Sequence, residues 1–561
     1  MAAAALLLLS SLFLVSPSAP ARAAPPEGAR YYETLQSADR AFAEERYADA
    51  ESLYARLADR GEDIWVWVRL GQSRVRLKRY LAAAEAYRHA LPLGTQRKRE
   101  SYRTFMKYRI GRCYALAGER DSAFAWLERA IADGYEDRGD IAEDENLVSL
   151  RGDPRFNRVA GRLDHELTRD EGWRHDLAYL ISEIRRVHVR FRNEPLPAGF
   201  EAEARALEAA IPRLRDAEVL LGMQRLMARL GDGHSVLYPF GEHVAMLTIP
   251  IRMYHFEEGW FVVATPESLR ALKGRRVVAM GGVSVDTLAQ RLVPIVSLDN
   301  GKGVEWIAPL YLQLGDVVAA LGGTNDPKRI RLTLEDAARR RTDVTMAADQ
   351  PLAPHAPKLG PPPLGAPPLW LQHIDRNYWI APLPTPRALY VQFNQVVDAD
   401  SESLEDFALR LRGILRRDSI RDLVVDVRHN NGGDGYLLDE LRRTLVWFTA
   451  DDPHHRLFVL EGRGTFSAAQ VFINQLDHDT PAIFAGEPSS SHPDFPGEDT
   501  SLLLPWSGVH GSISSRWHMV DGADTRTWIA PVIPVRLTAK DYYANRDPVL
   551  DAVLEVMRKE P

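Results

Sequence analysis

The chain has 561 residues, of which 45% are hydrophobic and 26% are charged, and its formal net charge at pH 7 is −7. Domains hold about 150 residues each, so this length predicts three or four domains rather than one. Because the net charge is small and no stretch is strongly basic, the composition does not indicate a nucleic-acid-binding protein.

The N-terminal segment has the pattern of a secretory signal. An apolar run over residues 2–15 is followed by small residues and by Ala-Arg-Ala at 21–23. This order predicts a cleaved signal peptide over residues 1–23 and export to the periplasm or the medium. The run is shorter than the about 20 residues that span a bilayer. Since no Lys or Arg precedes it, a short uncleaved anchor is the alternative. No later segment is apolar enough to predict a stable membrane span.

Residues 31–140 are helical and repetitive. Tyr47 and Tyr54 recur as Tyr80 and Tyr87, 33 residues later, and the pattern resembles tetratricopeptide repeats. Stacked helix pairs offer a concave surface that could bind a protein partner. The alternative is that the repeats serve only as a spacer. Cys113, the single cysteine, lies in an apolar helical stripe here. A single cysteine cannot form an internal disulfide, and its apolar surroundings predict a core residue.

The next two segments change character. Helical spacing over residues 166–234 ends in Gly-Asp-Gly-His at 231–234, where the two glycines predict a tight turn. Residues 244–346 hold short β-rich runs, including a strand–turn–strand followed by a helix. This part resembles the small PDZ-like module of certain proteases.

A proline-rich segment precedes the last domain. Eight prolines occur within residues 351–368, which predicts an extended linker over 347–386. From 387 to 558, apolar strands alternate with helices that begin near Ser403, Gly435 and Ser467. Continuous apolar strands separated by helices predict a largely parallel sheet covered on both faces.

The sharpest local feature is Gly-Thr-Phe-Ser-Ala-Ala at 464–469, between a predicted strand and a predicted helix. A hydroxyl at the start of a helix lies at the positive end of its dipole and could attack a carbonyl group. Ser467 with Gln470 also fits a capping box, in which the serine only caps the helix.

Two further features could contribute to a catalytic site: a pair of glycines after a predicted strand, and a histidine after a tight turn. Paired glycines in 426–433 follow a strand, so their N–H groups could face a ligand, or they could form an ordinary turn. His234 follows the Gly-Asp-Gly turn and is expected to be exposed and mobile enough to act as a base.

These motifs in this order resemble the tricorn-type and C-terminal-processing serine peptidases. The stretches 483–498, 504–508 and 546–550 resemble that family too, and the resemblance covers about 70% of the chain. It implies several domains: helical repeats, a helical subdomain, a PDZ-like β module and a crotonase/ClpP-like α/β catalytic domain.

The resemblance also implies roles for individual residues. Ser467 is implied as the nucleophile and His234 as the general base. An oxyanion hole is implied from the N–H groups of Gly432 or Gly433 and of Ala468.

One branch of the family uses a lysine base, but no lysine occurs between Leu359 and Ala539. The histidine-using branch supports its base with an acid, which by position is Asp524, with Asp521 second. The glutamate expected there is absent.

The resulting prediction is a serine peptidase that acts on extended peptides or protein C-termini. Neither a zinc signature nor a phosphate loop occurs, so no metal or cofactor is predicted. The alternatives are an inactive repeat-containing scaffold or apolar-ligand-binding protein on the same fold, and an esterase with the same catalytic groups.

Overall fold

The computed structural model describes residues 27–59, 63–93, 100–133, 135, 138–163, 165–352, 359–360, 362 and 365–559. The predicted signal peptide lies outside these residues. None of the helices within the described ranges has the length and apolar character needed to span a membrane. The chain divides into two compact units, one of residues 1–135 with 145–152 and one of residues 136–144 with 153–561.

The first unit consists of helices that pack in sequence order. Tyr54 and Tyr87 occupy corresponding places on the second and fourth helices and are buried to 0% and 3% exposure. A Cβ atom on Gly71 would come within 2.5 Å of the Tyr87 ring, so the helices approach closely only because this residue is glycine. Cys113 is buried, and its burial raises the pKa of the thiol to about 12, as expected of a core residue. The helices are α1 (Glu27–Ala43), α2 (Tyr47–Ala58), α3 (Ile64–Arg76), α4 (Tyr80–Ala90), α5 (Glu100–Leu116) and α6 (Arg120–Ala132).

The second unit begins with helices that bury one apolar stripe. Trp173, Leu177, Leu180 and Ile184, which share one face at helical spacing, are all buried. The last helix of this group leads into a turn at Gly231, whose φ is 75°. The helices are α7 (Arg138–Glu143), α8 (Pro154–Ala160), α9 (Arg169–Val187), α10 (Phe200–Ala210) and α11 (Asp216–Ala228).

The β-rich part that follows is an antiparallel sheet with helices inserted. The sheet has the order β3-β4-β5-β7-β8, with β6 paired to β5, and the strand–turn–strand–helix pattern of the sequence is present as β5, β6 and α12. The strands are β1 (Val236–Leu237), β2 (Leu247–Thr248), β3 (Arg252–Phe256), β4 (Gly259–Ala264), β5 (Arg276–Met280), β6 (Val283–Ser284), β7 (Arg329–Glu335), β8 (Arg341–Ala347) and β9 (Gln350–Pro351). The helices are α12 (Val285–Leu292), α13 (Lys302–Tyr311) and α14 (Gly315–Ala320).

The C-terminal part contains a six-stranded sheet of order β10-β11-β12-β13-β14-β17, in which all neighbours from β11 onward are parallel. This confirms the predicted parallel sheet. The strands are β10 (Tyr378–Pro382), β11 (Ala388–Phe393), β12 (Asp422–Asp426), β13 (Arg456–Glu461), β14 (Ile483–Gly486), β15 (Phe495–Leu503), β16 (His510–His518) and β17 (Ile533–Pro534). The helices are α15 (Leu404–Arg417), α16 (Asp439–Asp451), α17 (Ala468–Asp479), α18 (Ala539–Tyr543) and α19 (Pro548–Lys559).

Two apolar layers sandwich this sheet. Phe407 of α15 and Phe472 of α17 pack with Val425 and Val459 on one face. On the other face, Val553 of α19 packs with other side chains of the same strands. Alternate strand residues therefore point into different cores, as a central parallel sheet requires.

The predicted linker over 347–386 differs from the structure at both ends. Its first residues include β9, and its last include β10, which pairs antiparallel with β11 at the edge of the sheet. Trp370 and Leu371 are buried as well. Proline content alone predicted a spacer, but Trp370 and Leu371 pack in an apolar cluster with Phe256 of β3 and Tyr542 of α18.

Candidate active site

Ser467 stands at the start of α17 in a strained backbone conformation. Its φ is 54° and its ψ is −126°, and its side chain makes no capping hydrogen bond to the helix. Gln470 does not reach back to it either, because its amide donates to Asn474. The capping-box alternative is therefore wrong. Non-glycine residues in such conformations cost about 1–3 kcal/mol and concentrate at functional sites.

The backbone of Gly432 lies directly against Ser467. A Cβ atom on Gly432 would come within 2.7 Å of the Ser467 Cβ and 3.0 Å of the Ala468 nitrogen. Gly432 and Gly433 have φ values of 111° and 136°, which only glycine adopts without strain. The two predicted halves of the oxyanion site are thus adjacent.

The N–H groups differ in their availability. The N–H of Gly432 donates to the side chain of Asn430. Within the described part of the chain, no acceptor is recorded for the N–H groups of Gly433 and Ala468. The geometry therefore favours Gly433 over Gly432 as the partner of Ala468 in an oxyanion hole.

A buried charge network fixes the loop that carries these glycines. Asp426, at the end of β12, accepts hydrogen bonds from Arg428 and from the Tyr390 hydroxyl. The same guanidinium pairs with Asp547 at 2.7 and 2.9 Å and lies 4.7 Å above the Trp370 ring. The two carboxylates raise the pKa of the Arg428 guanidinium far above its ordinary value, although burial opposes this. Asp547 also caps α19 through the N–H groups of residues 549 and 550.

The serine loop is bound to the glycine loop by short polar contacts. The Asn430 carbonyl accepts from the N–H of Phe466 at 3.2 Å, and the Thr465 hydroxyl donates to the Val427 carbonyl at 3.0 Å. A Cβ atom on Gly464 would come within 2.8 Å of the Arg428 carbonyl. The position of Ser467 is therefore set by loops that follow two neighbouring strands.

The turn that carries His234 is held through Asp232. This fully buried carboxylate accepts from the His188 ring at 3.0 Å, from the Ser514 hydroxyl at 2.6 Å and from the N–H groups of His234 and Ser235. Hydrogen bonding to His188 keeps the pKa of Asp232 below its usual value, even though burial raises it. The motif aspartate thus shapes the backbone of the turn.

The imidazole of His234 is buried, which differs from the predicted exposed base. Only 3% of the residue is exposed, and the ring stacks between Phe466, at 4.3 Å, and Phe495, at 5.2 Å. Burial lowers the pKa of His234 to about 4, with His518 lowering it further and Asp232 opposing the shift. Within the part of the chain that the structure describes, neither ring nitrogen has a hydrogen-bond partner. The sequence could not reveal this enclosure because both aromatic residues lie more than 200 positions away.

The structure brings His234 to the serine loop without joining the two functional groups. The ring touches Phe466, the residue before Ser467. Across the described residues, no hydrogen bond is recorded between the His234 ring and the Ser467 hydroxyl.

The predicted acids are occupied elsewhere. Asp524 accepts from the Arg526 guanidinium, which lowers the pKa of the carboxyl, and Arg526 also binds Asp477. Asp521 accepts from the backbone of Ala523. Neither acid contacts His234 in the recorded interactions of the described residues.

A different acid, Asp299, is close to the histidine turn and was missed by sequence reasoning. Its carboxyl accepts from the N–H of Gly233 at 2.6 Å and from the Ser491 hydroxyl at 2.7 Å. Burial raises the pKa of Asp299 to about 7. Asp299 stands before Asn-Gly, which in sequence indicates only a turn.

A cavity of about 160 Å³ lies behind the two loops. Asn431, Gly464 and Trp306 line it, whereas Ser467 and His234 do not. The carboxyl of Glu461, which lines the cavity, is fully buried and has no hydrogen-bond partner among the described residues; burial raises its pKa well above the usual value.

The chain is similar to several solved peptidase structures, although no family model and no curated protein matches its sequence. The mature form of a protein named CPAF shares 13% identity, with 67% of this chain and 94% of that one covered, at a TM-score of 0.49. The photosystem II D1 C-terminal processing protease shares 14% identity, with coverage of 70% and 97% and a TM-score of 0.34. The tricorn protease shares 10% identity, with coverage of 70% of this chain and 37% of that one and a TM-score of 0.33.

Proposed function

We propose that this chain is an exported serine peptidase with Ser467 as nucleophile and His234 as general base. The observation that carries the proposal is the environment of Ser467: a strained, uncapped serine at a helix N-terminus, pressed against a glycine backbone. A serine that only stabilised the helix would bind its N–H groups through the side chain. The Ser467 hydroxyl makes no such bond to the described part of α17, which supports a role other than capping.

The chemistry is acyl transfer to water. The Ser467 oxygen attacks a peptide carbonyl carbon, and its proton passes to the His234 ring. The carbonyl oxygen becomes an oxyanion, which accepts hydrogen bonds from the N–H groups of Gly433 and Ala468 at the positive end of α17. When the C–N bond breaks, His234 returns the proton to the leaving amine. Water then repeats the sequence on the acyl-serine ester, releasing the acid and restoring the hydroxyl.

Proton transfer requires His234 to come within hydrogen-bond distance of Ser467. The stacked Phe466 ring belongs to the same loop as the nucleophile, so a small change in this loop would alter both positions. We propose that substrate binding shifts Phe466 and frees the imidazole. This is a local rearrangement of the kind that completes a catalytic site only when substrate is present.

The remaining parts of the proposal concern the substrate, the accessory domains and the cellular location. The substrates are extended peptides or protein C-termini, which strand-like pairing would hold. The antiparallel sheet is a PDZ-like module, the helix pairs of the first unit are of tetratricopeptide type, and the predicted signal directs the chain out of the cytoplasm. The repeats leave room for a protein partner.

A fluorophosphonate serine probe on the purified chain tests the proposal. Labelling is expected in the wild type, none in Ser467→Ala, and at least a hundredfold slower labelling in His234→Ala. Ser490→Ala removes a nearby buried serine, whose hydroxyl donates to the Arg463 carbonyl, and serves as the matched control. A folded wild type that the probe does not label would favour the inactive scaffold.

Amide and ester substrates of the same acyl group separate peptidase from esterase. A peptidase cleaves the amide with a Ser467-dependent rate. If only the ester is hydrolysed, the peptidase proposal fails while the assignment of the nucleophile stands.

A further inference from the structure

The helical first unit contains a groove whose lining is positively charged. Side chains from α1, α3, α4 and α5 line it, together with the turn between α3 and α4 and with Asn146, around a volume of about 610 Å³. Arg69, Arg76, Lys78, Arg109 and Arg112 all contribute to this lining. Among the described residues, no aspartate or glutamate lines the groove. The charge contrasts with the formal net charge of −7 for the whole chain.

Most of these cations are not neutralised by the protein itself. Glu51 pairs with Arg74 and Arg79, which flank the groove. In contrast, no ion pair with a carboxylate is recorded within the described ranges for Arg69, Arg76, Lys78 or Arg109. Like charges collected on one concave wall repel one another, so an anionic ligand would relieve an unfavourable arrangement.

Aromatic rings hold three of the guanidinium groups in defined positions. Arg69 lies 4.8 Å from the centre of the Phe42 ring, and Arg109 lies 4.5 Å from the centre of the Phe105 ring. Arg76 lies 5.9 Å from the ring of Tyr47. A guanidinium that stacks by its face presents its N–H groups at the edge, where they can bind a carboxylate with two hydrogen bonds. One N–H of Arg69 donates to the Gln72 side chain at 3.1 Å, so the remaining ones are those that face a ligand.

The spacing of the cations suits an extended chain rather than a single ion. Arg69 and Arg76 are seven residues apart on α3, which separates them by about two helical turns, or about 10 Å. Arg109 belongs to α5, a second helix that contributes arginine side chains to the groove. Tyr87, Val75 and Leu116 add apolar surface between the charges.

We propose that this groove binds an acidic peptide segment of a partner protein. Carboxylates of the segment would meet the arginine edges, and its apolar side chains would pack against Val75 and Leu116. The site is separate from Ser467 and does not depend on the proposed peptidase activity.

The test measures binding of fluorescein-labelled decapeptides to the full chain carrying Ser467→Ala, so that no peptide can be cleaved. An Asp/Glu-rich peptide is compared with its Asn/Gln counterpart and with a single-stranded oligonucleotide of similar charge. We expect the acidic peptide to bind at least tenfold more tightly than the neutral one and to weaken as salt rises from 50 to 300 mM. The double variant Arg76→Gln/Arg109→Gln should weaken binding at least tenfold.

The matched control is Arg88→Gln, which removes an exposed arginine of α4 that does not line the groove. It should leave the affinity unchanged, and thermal unfolding of both variants checks that the first unit remains folded. Equal affinity for acidic and neutral peptides, or an acidic-peptide affinity that the double variant leaves intact, would overturn the proposal. Tighter binding of the oligonucleotide would identify a phosphate ligand and overturn it as well.

Discussion

At the scale of single residues, the close approach of Gly432 to Ser467 constrains the position of the nucleophile. In Gly432→Ala the new methyl group would meet the Ser467 Cβ at 2.7 Å, and the φ of 111° would be strained for alanine. We expect the serine to move away from the oxyanion N–H groups and probe labelling to slow by about 10²–10³, the cost of losing one such donor.

Gly413→Ala is the control, because a Cβ atom there meets nothing within 4 Å. It should leave the labelling rate unchanged. Labelling of Gly432→Ala at the wild-type rate would show that this close approach does not matter for the reactivity of Ser467.

The enclosure of His234 predicts an unusual pH dependence. A base with a pKa of about 4 is neutral at pH 5, so the rate of probe labelling should fall only below that pH rather than near 6.5. Removing the ring in Phe466→Ala hydrates the imidazole, which should move the acid limb up toward 6.5. His478→Gln, a change at an exposed histidine of α17, should not move it.

The lowered pKa of His234 also determines how the stability of the fold changes with pH. Because the folded pKa of His234 is depressed, the unfolded state binds the proton more strongly between about pH 4 and pH 6.5. This group therefore destabilises the fold as the pH falls through that window.

In the labelling experiment, an acid limb already at pH 6.5 in the wild type would contradict burial of the reacting histidine.

At the scale of elements, the site depends on how β12 and α19 are tied together. The Arg428 side chain is only 9% exposed and pairs with both Asp426 and Asp547, so Arg428→Met leaves two buried carboxylates without their counter-charge. Breaking such a buried pair costs about 3–5 kcal/mol. We expect a loss of that size in the free energy of unfolding of the second unit, measured with urea.

Arg417→Met is the matched change, since Arg417 makes a surface pair with Asp418 at the end of α15. It should not measurably change the unfolding midpoint. An equal effect of both variants would show that the network around Arg428 adds nothing beyond a surface charge.

The C-terminal domain shows which features can be predicted from local sequence and which cannot. The apolar runs gave the strands and their parallel order, because continuous apolar strands need helices on both faces. Asp547 followed by Pro548 is a local pattern typical of a helix start, and α19 begins at Pro548. The second role of Asp547, binding the arginine after β12, joins residues 119 positions apart and left no local signal.

For the whole molecule, the two units have separate apolar cores. Tyr54 is fully buried in the core of the first unit, and its hydroxyl donates to Asp39. Tyr54→Ala should cost about 3–5 kcal/mol of stability, as other large-to-small aromatic changes do. By calorimetry the transition of the first unit should fall, while labelling of Ser467 at 20 °C stays at the wild-type rate.

Tyr32→Ala provides the control, because this tyrosine of α1 is 59% exposed. It should leave both transitions in place. A loss of Ser467 labelling in folded Tyr54→Ala would show that the second unit needs the core of the first.

The sequence by itself determined the elements and the order of the motifs. Helical stripes such as Trp173 to Ile184, the strands of the parallel sheet and the loops before α17 follow from local periodicity and turn residues. These patterns act over a few residues, so they can be recognised without knowing the fold.

Only the tertiary structure decided which groups meet. It enclosed His234 between Phe466 and Phe495, brought Arg526 to Asp477, and added β10 to the sheet from a proline-rich stretch. It also gave Ser467 its strained backbone, which the packed Gly432 loop maintains. Such contacts depend on where distant segments of the backbone run, and residues hundreds of positions apart carry no mark of one another in a single sequence.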